Sequence, residues 1–152
     1  MSPNFPSSLS MPIKNHLTGA DYTLRRADEV EETQVRLNHL VSIGNEPKVY
    51  SWIFREIFNG LPYEEKNAKE FFAMGNEGWR KNEQFVFSLL DQDGNPAASI
   101  DIKTADLDYA EIGYLCSSAH RGVMTNTLLG LIDLAREAGF RKLFARTRKR
   151  NN

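Results

Sequence analysis

The apolar positions of the chain alternate between two-residue and helical spacing. YTLRRA, 22–27, reads as a short strand. Asp28 after it suits a helix N-cap, with Glu31 at the third helical position of a capping box. The spacing predicts a helix over 28–42, with Val30, Leu37 and Val41 among its apolar positions. IGNEP interrupts it, and Pro47 opens a second helical run through Trp52, Ile53, Ile57 and Phe58. Asn59-Gly60 stops that run. Pro62 starts a third, carrying Ala68, Phe71, Phe72 and later Trp79.

The period then shortens. FVFSLL, 85–90, AASIDIK, 97–103, and YAEIGYLC, 109–116, read as three strands. The turns DQDGN and TADLD between them are short, so the three form an antiparallel meander. After Gly122 the helical period returns. Met124, Leu128, Leu131, Ala135 and Ala138 share a stripe, and Gly139 ends it. RKLFART, 141–147, is the next strand. Strand, helix, strand is a crossover, so the strands at 109–116 and 141–147 should run parallel. The reading is one α/β domain: a mixed sheet with an N-terminal helical arm, an antiparallel meander and a closing β-α-β unit.

Bulk properties narrow the function. The 152 residues are 41% hydrophobic and 26% charged, as in a globular domain. No run of 18 apolar residues exists to span a membrane. The Ser/Pro-rich start lacks the apolar core of a signal peptide, and residues 1–18 read as a loose tail before a domain at 19–152. The single cysteine, Cys116, excludes an internal disulfide and a Cys-cluster zinc site. His16, His39 and His120 form no ligand motif, so no metal is expected. A cytoplasmic protein is the simplest reading.

Net charge is -1, but residues 141–152 hold six basic and no acidic side chains. The other 140 residues carry 13 basic against 20 acidic groups. The basic end suits either a polyanion contact or a solvated terminus. One short tract is not a basic face, so nucleic acid is not the expected partner.

The element order, and the segment from Ala110 to Asn151, resemble the GCN5-related N-acetyltransferase superfamily, in its branch that modifies ribosomal-protein N-termini. The resemblance rests on AEIGYL, on HRG at the place of a pyrophosphate loop, on LLGLIDLAREAGFRKLFART as the helix and strand that follow, and on Asn151 six residues past Ala145. YTLRRADEVEE is similar to the family's first strand and helix. The family loop reads Gln/Arg-x-x-Gly-x-Gly/Ala. Two registers are open: from Arg121, where Met124 and Asn126 replace the small residues, or from Ala119, where Gly122 is the one match. The family fold continues beyond the strand at 141–147 with a helix and two strands, which often supply a tyrosine as general acid. The resemblance therefore implies a C-terminally incomplete acyl-coenzyme A N-acyltransferase fold. It also implies weak turnover in this exact chain and an open sheet edge suited to a homodimer.

The implied chemistry is transfer of acetyl from acetyl-coenzyme A, as co-substrate, to an amine-bearing peptide N-terminus or small molecule. Diphosphate binding needs backbone N–H groups at a helix N-terminus. Gly122, Val123, Met124 and Thr125 would provide them, with Arg121 as a cation. The alternative for Gly122 is a tight turn and nothing more. The family's strand pairs with the pantetheine arm, which places Tyr114, Leu115 and Cys116 there, with the Leu115 or Cys116 N–H as oxyanion donor. Cys116 reads as core rather than nucleophile, and His120 as an exposed loop residue rather than a base. The base is Glu111, or else Glu111 pairs with Lys103 across the meander. Asp101 and Asp108 are weaker choices. Trp52, Phe54, Phe58 and Tyr63 are core or acceptor lining. The competing reading is an impaired acetyltransferase-like domain that acts through coenzyme A binding or protein association.

Overall fold

The structure, a computed structural model, describes residues 1–146. Its strands are β1 (Ser10–Lys14), β2 (Asp21–Arg26), β3 (Phe85–Leu90), β4 (Pro96–Ile102), β5 (Ala110–Cys116) and β6 (Leu143–Ala145). Its helices are α1 (Gln34–Gly44), a short α2 (Pro47–Val49) running into a wide turn at Tyr50–Phe54, α3 (Glu65–Lys81) and α4 (Met124–Ala138). The six strands lie in one sheet in chain order. β1 to β5 pair antiparallel, and β5 pairs parallel with β6, as the crossover requires.

β3 is buried at every position, which suits an interior strand covered on both faces. Phe85, Phe87, Ile100, Ile102 and Ala110 form a core with Leu131, Leu134, Ala135 and Ala138 of α4. A second cluster joins Val30, Leu37, Tyr63, Ala68 and Phe72 of the helical arm to Leu90. The arm and α4 thus cover opposite faces of the sheet.

The first eighteen residues are not a loose tail. β1 pairs with β2 over five residue pairs, from Ser10↔Arg25 to Lys14↔Asp21. Phe5 reaches the core, its ring 5.0 Å from Phe85 and 5.4 Å from Trp79. The Glu29 carboxylate accepts the Ser8 hydroxyl and the Leu9 N–H, both at 2.7 Å. Pro12 hid the strand from the pattern, but β1 is an edge strand, where proline is tolerated.

The first helix also begins later than predicted. The Asp28 carboxylate is occupied by the Arg26 guanidinium, at 3.0 and 2.8 Å, and Ala27–Glu29 makes only a 3-10 turn. The cap is Thr33, whose hydroxyl accepts the Arg36 N–H at 3.2 Å. The third run begins at Glu65, capped by Glu64 and Asn67 in a reciprocal box.

Candidate acyl-coenzyme A site

β5 is the axis of the site. Its pairing with β6 covers only Ala110↔Leu143, Glu111↔Phe144 and Ile112↔Ala145. β5 then continues through Gly113 to Cys116, so among the described residues Tyr114, Leu115 and Cys116 lie beyond the last pair. On its other side β5 stays paired with β4 as far as Ala98↔Cys116. Successive β5 residues point their backbone groups to opposite neighbours: Glu111 and Ser117 bond to β4 and its flanks, and Ala110 to the β6 side. Tyr114 and Cys116 therefore also point toward the β6 side, where the continuing register passes out of the described residues.

The chain leaves β5 through Ser117, a 3-10 turn at Ser118–His120, Arg121 and Gly122. Gly122 sits at φ +101°, a region that side chains avoid. Val123 caps α4 with its side chain fully buried, so its bulk points into the core. The Thr127 N–H, donating to the Val123 carbonyl at 3.2 Å, begins the intrahelical ladder. The first-turn N–H groups of Met124, Thr125 and Asn126 precede that ladder and lack i−4 partners. Helix onset at Met124 matches the register in which Gly122 takes the first glycine position. Arg121 and Thr125 are exposed, and Met124 packs partly against the main core.

Glu111, Gly113 and Leu115 alternate onto one face. The Glu111 side chain does not pair with that of Lys103, although the Lys103 N–H donates to the Glu111 carbonyl at 2.9 Å. The Glu111 carboxylate lies 3.6 Å from Arg146, while the Lys103 ammonium turns to Asp101 at 3.4 Å. The register explains this: Gly113 stands opposite Asp101, and without a side chain at Gly113 the Lys103 ammonium folds into that space. Gln84 also donates to Asp101, at 2.9 Å. Asp108 is taken by Arg141 at 2.5 Å, away from the Leu115 end of the strand. Asn151 lies outside the described residues, as does the basic run after Arg146.

A small apolar pocket of about 60 Å³, partly open to solvent, lies between the helical arm and the sheet. Phe54, Tyr63 and Phe71 form one wall, and Ser88, Ser99 and Leu115 the sheet side. Of the four arm aromatics, Phe54 and Tyr63 line it. Phe58 packs against the second core cluster, and Trp52 is partly exposed. Burial, helped by Glu70, pushes the Tyr63 phenol up to about 12.

Cys116 is half-buried. Burial, and then the charge of Glu46, push its thiol up, which is the environment of an inert rather than a nucleophilic cysteine. His120 is not an exposed loop residue. It is half-buried, with Nδ1 2.8 Å from the Tyr22 hydroxyl. No group of three metal-ligating side chains occurs among the described residues. No helix among them is long and apolar enough to cross a membrane.

Several contacts around the loop escaped the sequence. Asn15 Nδ2 donates to the Arg121 carbonyl at 3.0 Å, and His16 Nδ1 to the Gly122 carbonyl at 2.7 Å. Glu46 accepts the Ser118 N–H at 2.9 Å and its hydroxyl. These partners lie about 70 to 106 residues away along the chain. The one local signal was Asn15-His16-Leu17-Thr18-Gly19, which has the composition of an Asx turn.

Residues 23–152 match the model of the acetyltransferase (GNAT) domain family. No curated protein matches the chain. Among solved structures, the chain is similar to the GNAT domain of S. lividans PAT, at 20% identity and TM-score 0.57, covering 93% of this chain and 80% of that one. It is similar to Mycobacterium smegmatis RimJ in complex with CoA-disulfide, at 18% identity and TM-score 0.65, covering 99% and 72%. The microcin C7 self-immunity acetyltransferase MccE, in complex with acetyl-CoA and AMP, aligns at 15% identity and TM-score 0.63, covering 82% and 68%. With the family model spanning most of its length, and with the mixed sheet and N-terminal helical arm of that architecture, the chain belongs to the GNAT acetyltransferase-domain family.

Proposed function

We propose that the chain transfers acetyl from acetyl-coenzyme A to the primary amine of a peptide N-terminus or a small molecule by direct attack. The observation that carries the reading is the N-terminus of α4, which opens directly after Gly122 at φ +101° and follows β5, the strand that joins the antiparallel meander to the parallel β6. The residues fit the co-substrate. Tyr114 and Cys116 offer the backbone groups of their β6 side to the amides of the pantetheine arm, whereas the backbone of Leu115 points to Ser99 of β4 and only its side chain faces the pocket. Gly122 and the first turn at Met124 and Thr125 offer N–H groups to the diphosphate, with Arg121 as a nearby cation. The N–H of Val123 is taken by the His120 carbonyl, and Val123 serves by anchoring the turn in the core. Of the two expected donors, the Cys116 N–H stabilises negative charge developing on the thioester oxygen, since the Leu115 N–H is directed at β4.

The pocket behind Leu115 receives the acceptor. An ammonium nitrogen has no lone pair, so the amine must lose a proton before attack, and the apolar wall favours the neutral form. Glu111 takes that proton directly or through a water. The C–N bond forms as the C–S bond breaks, and the departing thiolate takes up a proton. RimJ and MccE, with the coenzyme forms their structures contain, support coenzyme A use here.

Calorimetry with acetyl-coenzyme A and desulfo-coenzyme A tests binding. Thiol release against mixed peptide and small amines tests turnover. Glu111→Gln should leave coenzyme affinity within about twofold and lower turnover by about 100-fold. Unchanged turnover would remove Glu111 from the role of base, and no coenzyme binding by the wild-type chain would overturn the reading.

A further inference from the structure

The turn between β1 and β2 grips the loop between β5 and α4 from behind. Asn15 is almost fully buried, at 1% exposure, in a segment otherwise exposed from His16 to Gly19. Its side chain is used twice. The Oδ1 accepts the N–H groups of Leu17 and Thr18, at 2.9 and 3.2 Å, which shapes the turn. The Nδ2 donates to the Arg121 carbonyl at 3.0 Å. His16 continues the line, with its ring Nδ1 donating to the Gly122 carbonyl at 2.7 Å. From the third residue of α4, Asn126 Nδ2 donates back to the Lys14 carbonyl at 2.7 Å. Tyr22 on β2 meets His120 on the other side.

The direction of these bonds is the point. A trans peptide holds its C=O and N–H on opposite sides. With the Arg121 and Gly122 carbonyls drawn toward the β1–β2 turn, the N–H groups of the same two peptides, those of Gly122 and Val123, face away from it. The Val123 N–H closes onto the His120 carbonyl at 3.3 Å, which leaves the Gly122 N–H to join the first turn of α4. The same grip moves two carbonyl oxygens, which would repel an anion, to the rear of the loop. Gly122 is required by the grip itself: a Cβ there would stand 2.5 Å from Asn15 Oδ1 and 2.8 Å from the Leu17 side chain.

We infer that Asn15, aided by His16, is a positioning residue for the coenzyme diphosphate: it orients the Arg121–Gly122 peptides so that the loop presents the Gly122 N–H and neither carbonyl. This rests on the proposed coenzyme A binding. Neither residue touches the ligand; both act through the loop they hold.

The test combines calorimetric titration of coenzyme A with amide hydrogen exchange, in the full chain and in Asn15→Ala and His16→Ala. Loss of the Asn15 bond should raise exchange selectively at 118–126, leave β3 and β4 protected, and weaken coenzyme A binding about tenfold, the effect of one lost hydrogen bond. His16→Ala, at an exposed site that the core does not need, should weaken binding in the same direction by less. Affinity within twofold of wild type, in a variant whose loop does exchange faster, would overturn the inference. So would protection lost throughout β3 and β4 in Asn15→Ala together with unchanged affinity in His16→Ala, since Asn15 would then be only structural. A wild-type chain that does not bind coenzyme A would instead remove the coenzyme reading beneath it.

Discussion

Glu46 and Ser118, 72 residues apart, are joined by two hydrogen bonds: the Glu46 carboxylate accepts the Ser118 N–H at 2.9 Å and the Ser118 hydroxyl. Glu46 directly precedes α2 in the helical arm, and Ser118 starts the 3-10 turn after β5. The bond therefore ties the arm that walls the apolar pocket to the loop that leads into α4. Ile43 and Gly44, which line that pocket, lie three and two residues before Glu46. Glu46→Ala should cost about 1–2 kcal/mol in urea unfolding, the worth of a charge-assisted hydrogen bond. Ser118→Ala should cost less, because the backbone N–H still donates. Equal, negligible changes in both variants would mean that the arm is held by packing alone.

Gly122→Ala should destabilise the chain by about 1–3 kcal/mol in the absence of any ligand. Both the φ of +101° and the approach to Asn15 Oδ1 oppose a side chain there. Arg121→Ala, at an exposed position, should change stability by less than about 0.5 kcal/mol. In the Asn15→Ala background Gly122→Ala should cost less than in the wild-type background, since the nearer clash partner is gone while the Leu17 contact and the positive φ remain. Denaturant melts of the four proteins check this. A Gly122→Ala protein as stable as wild type would place the loop's requirement for glycine in ligand contact instead.

Alkaline titration should separate Tyr63 from the other tyrosines. Its phenol is held neutral to about 12 by burial and by Glu70, against an ordinary value near 10. Between those values the folded chain binds a proton that the unfolded chain has released, so stability falls as pH rises through the window and is unaffected below it. Absorbance at 295 nm should show one late-titrating phenol that disappears in Tyr63→Phe. A titration curve unchanged by that substitution would contradict the burial. The same ring fills the space beside Gly44, where a Cβ would meet it at 2.5 Å, so Gly44→Ala should cost about 1–3 kcal/mol by overpacking.

Cys116 should alkylate slowly. Burial first, and Glu46 second, hold its thiol protonated above the usual cysteine range. Its iodoacetamide rate at pH 8 should be several-fold below that of a free thiol, and should climb only as pH passes the raised value. Glu46→Gln removes the smaller cause and should speed the reaction modestly. Coenzyme A, lying along β5 as proposed, should slow it further. A thiol that reacts at the free rate at pH 8 would show that Cys116 is more open than its surroundings imply.

The sequence by itself determined the elements with strong periodicity. FVFSLL, AASIDIK and the 109–116 run form strands close to their predicted bounds, and α4 begins one residue past Val123. Those segments were legible because side-chain burial on one or two faces writes a repeat into local sequence. The parallel pairing of β5 with β6 was legible too, since chain handedness leaves one connection. Tertiary structure decided what local sequence could not weigh. Asp28 is a good cap in isolation but is claimed by Arg26, so Thr33 caps α1. SMPIK has little strand pattern, yet β2 supplies it with a partner edge. Glu111 prefers Arg146 because Gly113 lets Lys103 fold toward Asp101. Asn15 acquires its role only when Arg121 is brought to it from 106 residues away. Periodicity records which side of an element faces the core, whereas a hydrogen bond depends on which distant atom arrives opposite, and only the folded chain brings those atoms together.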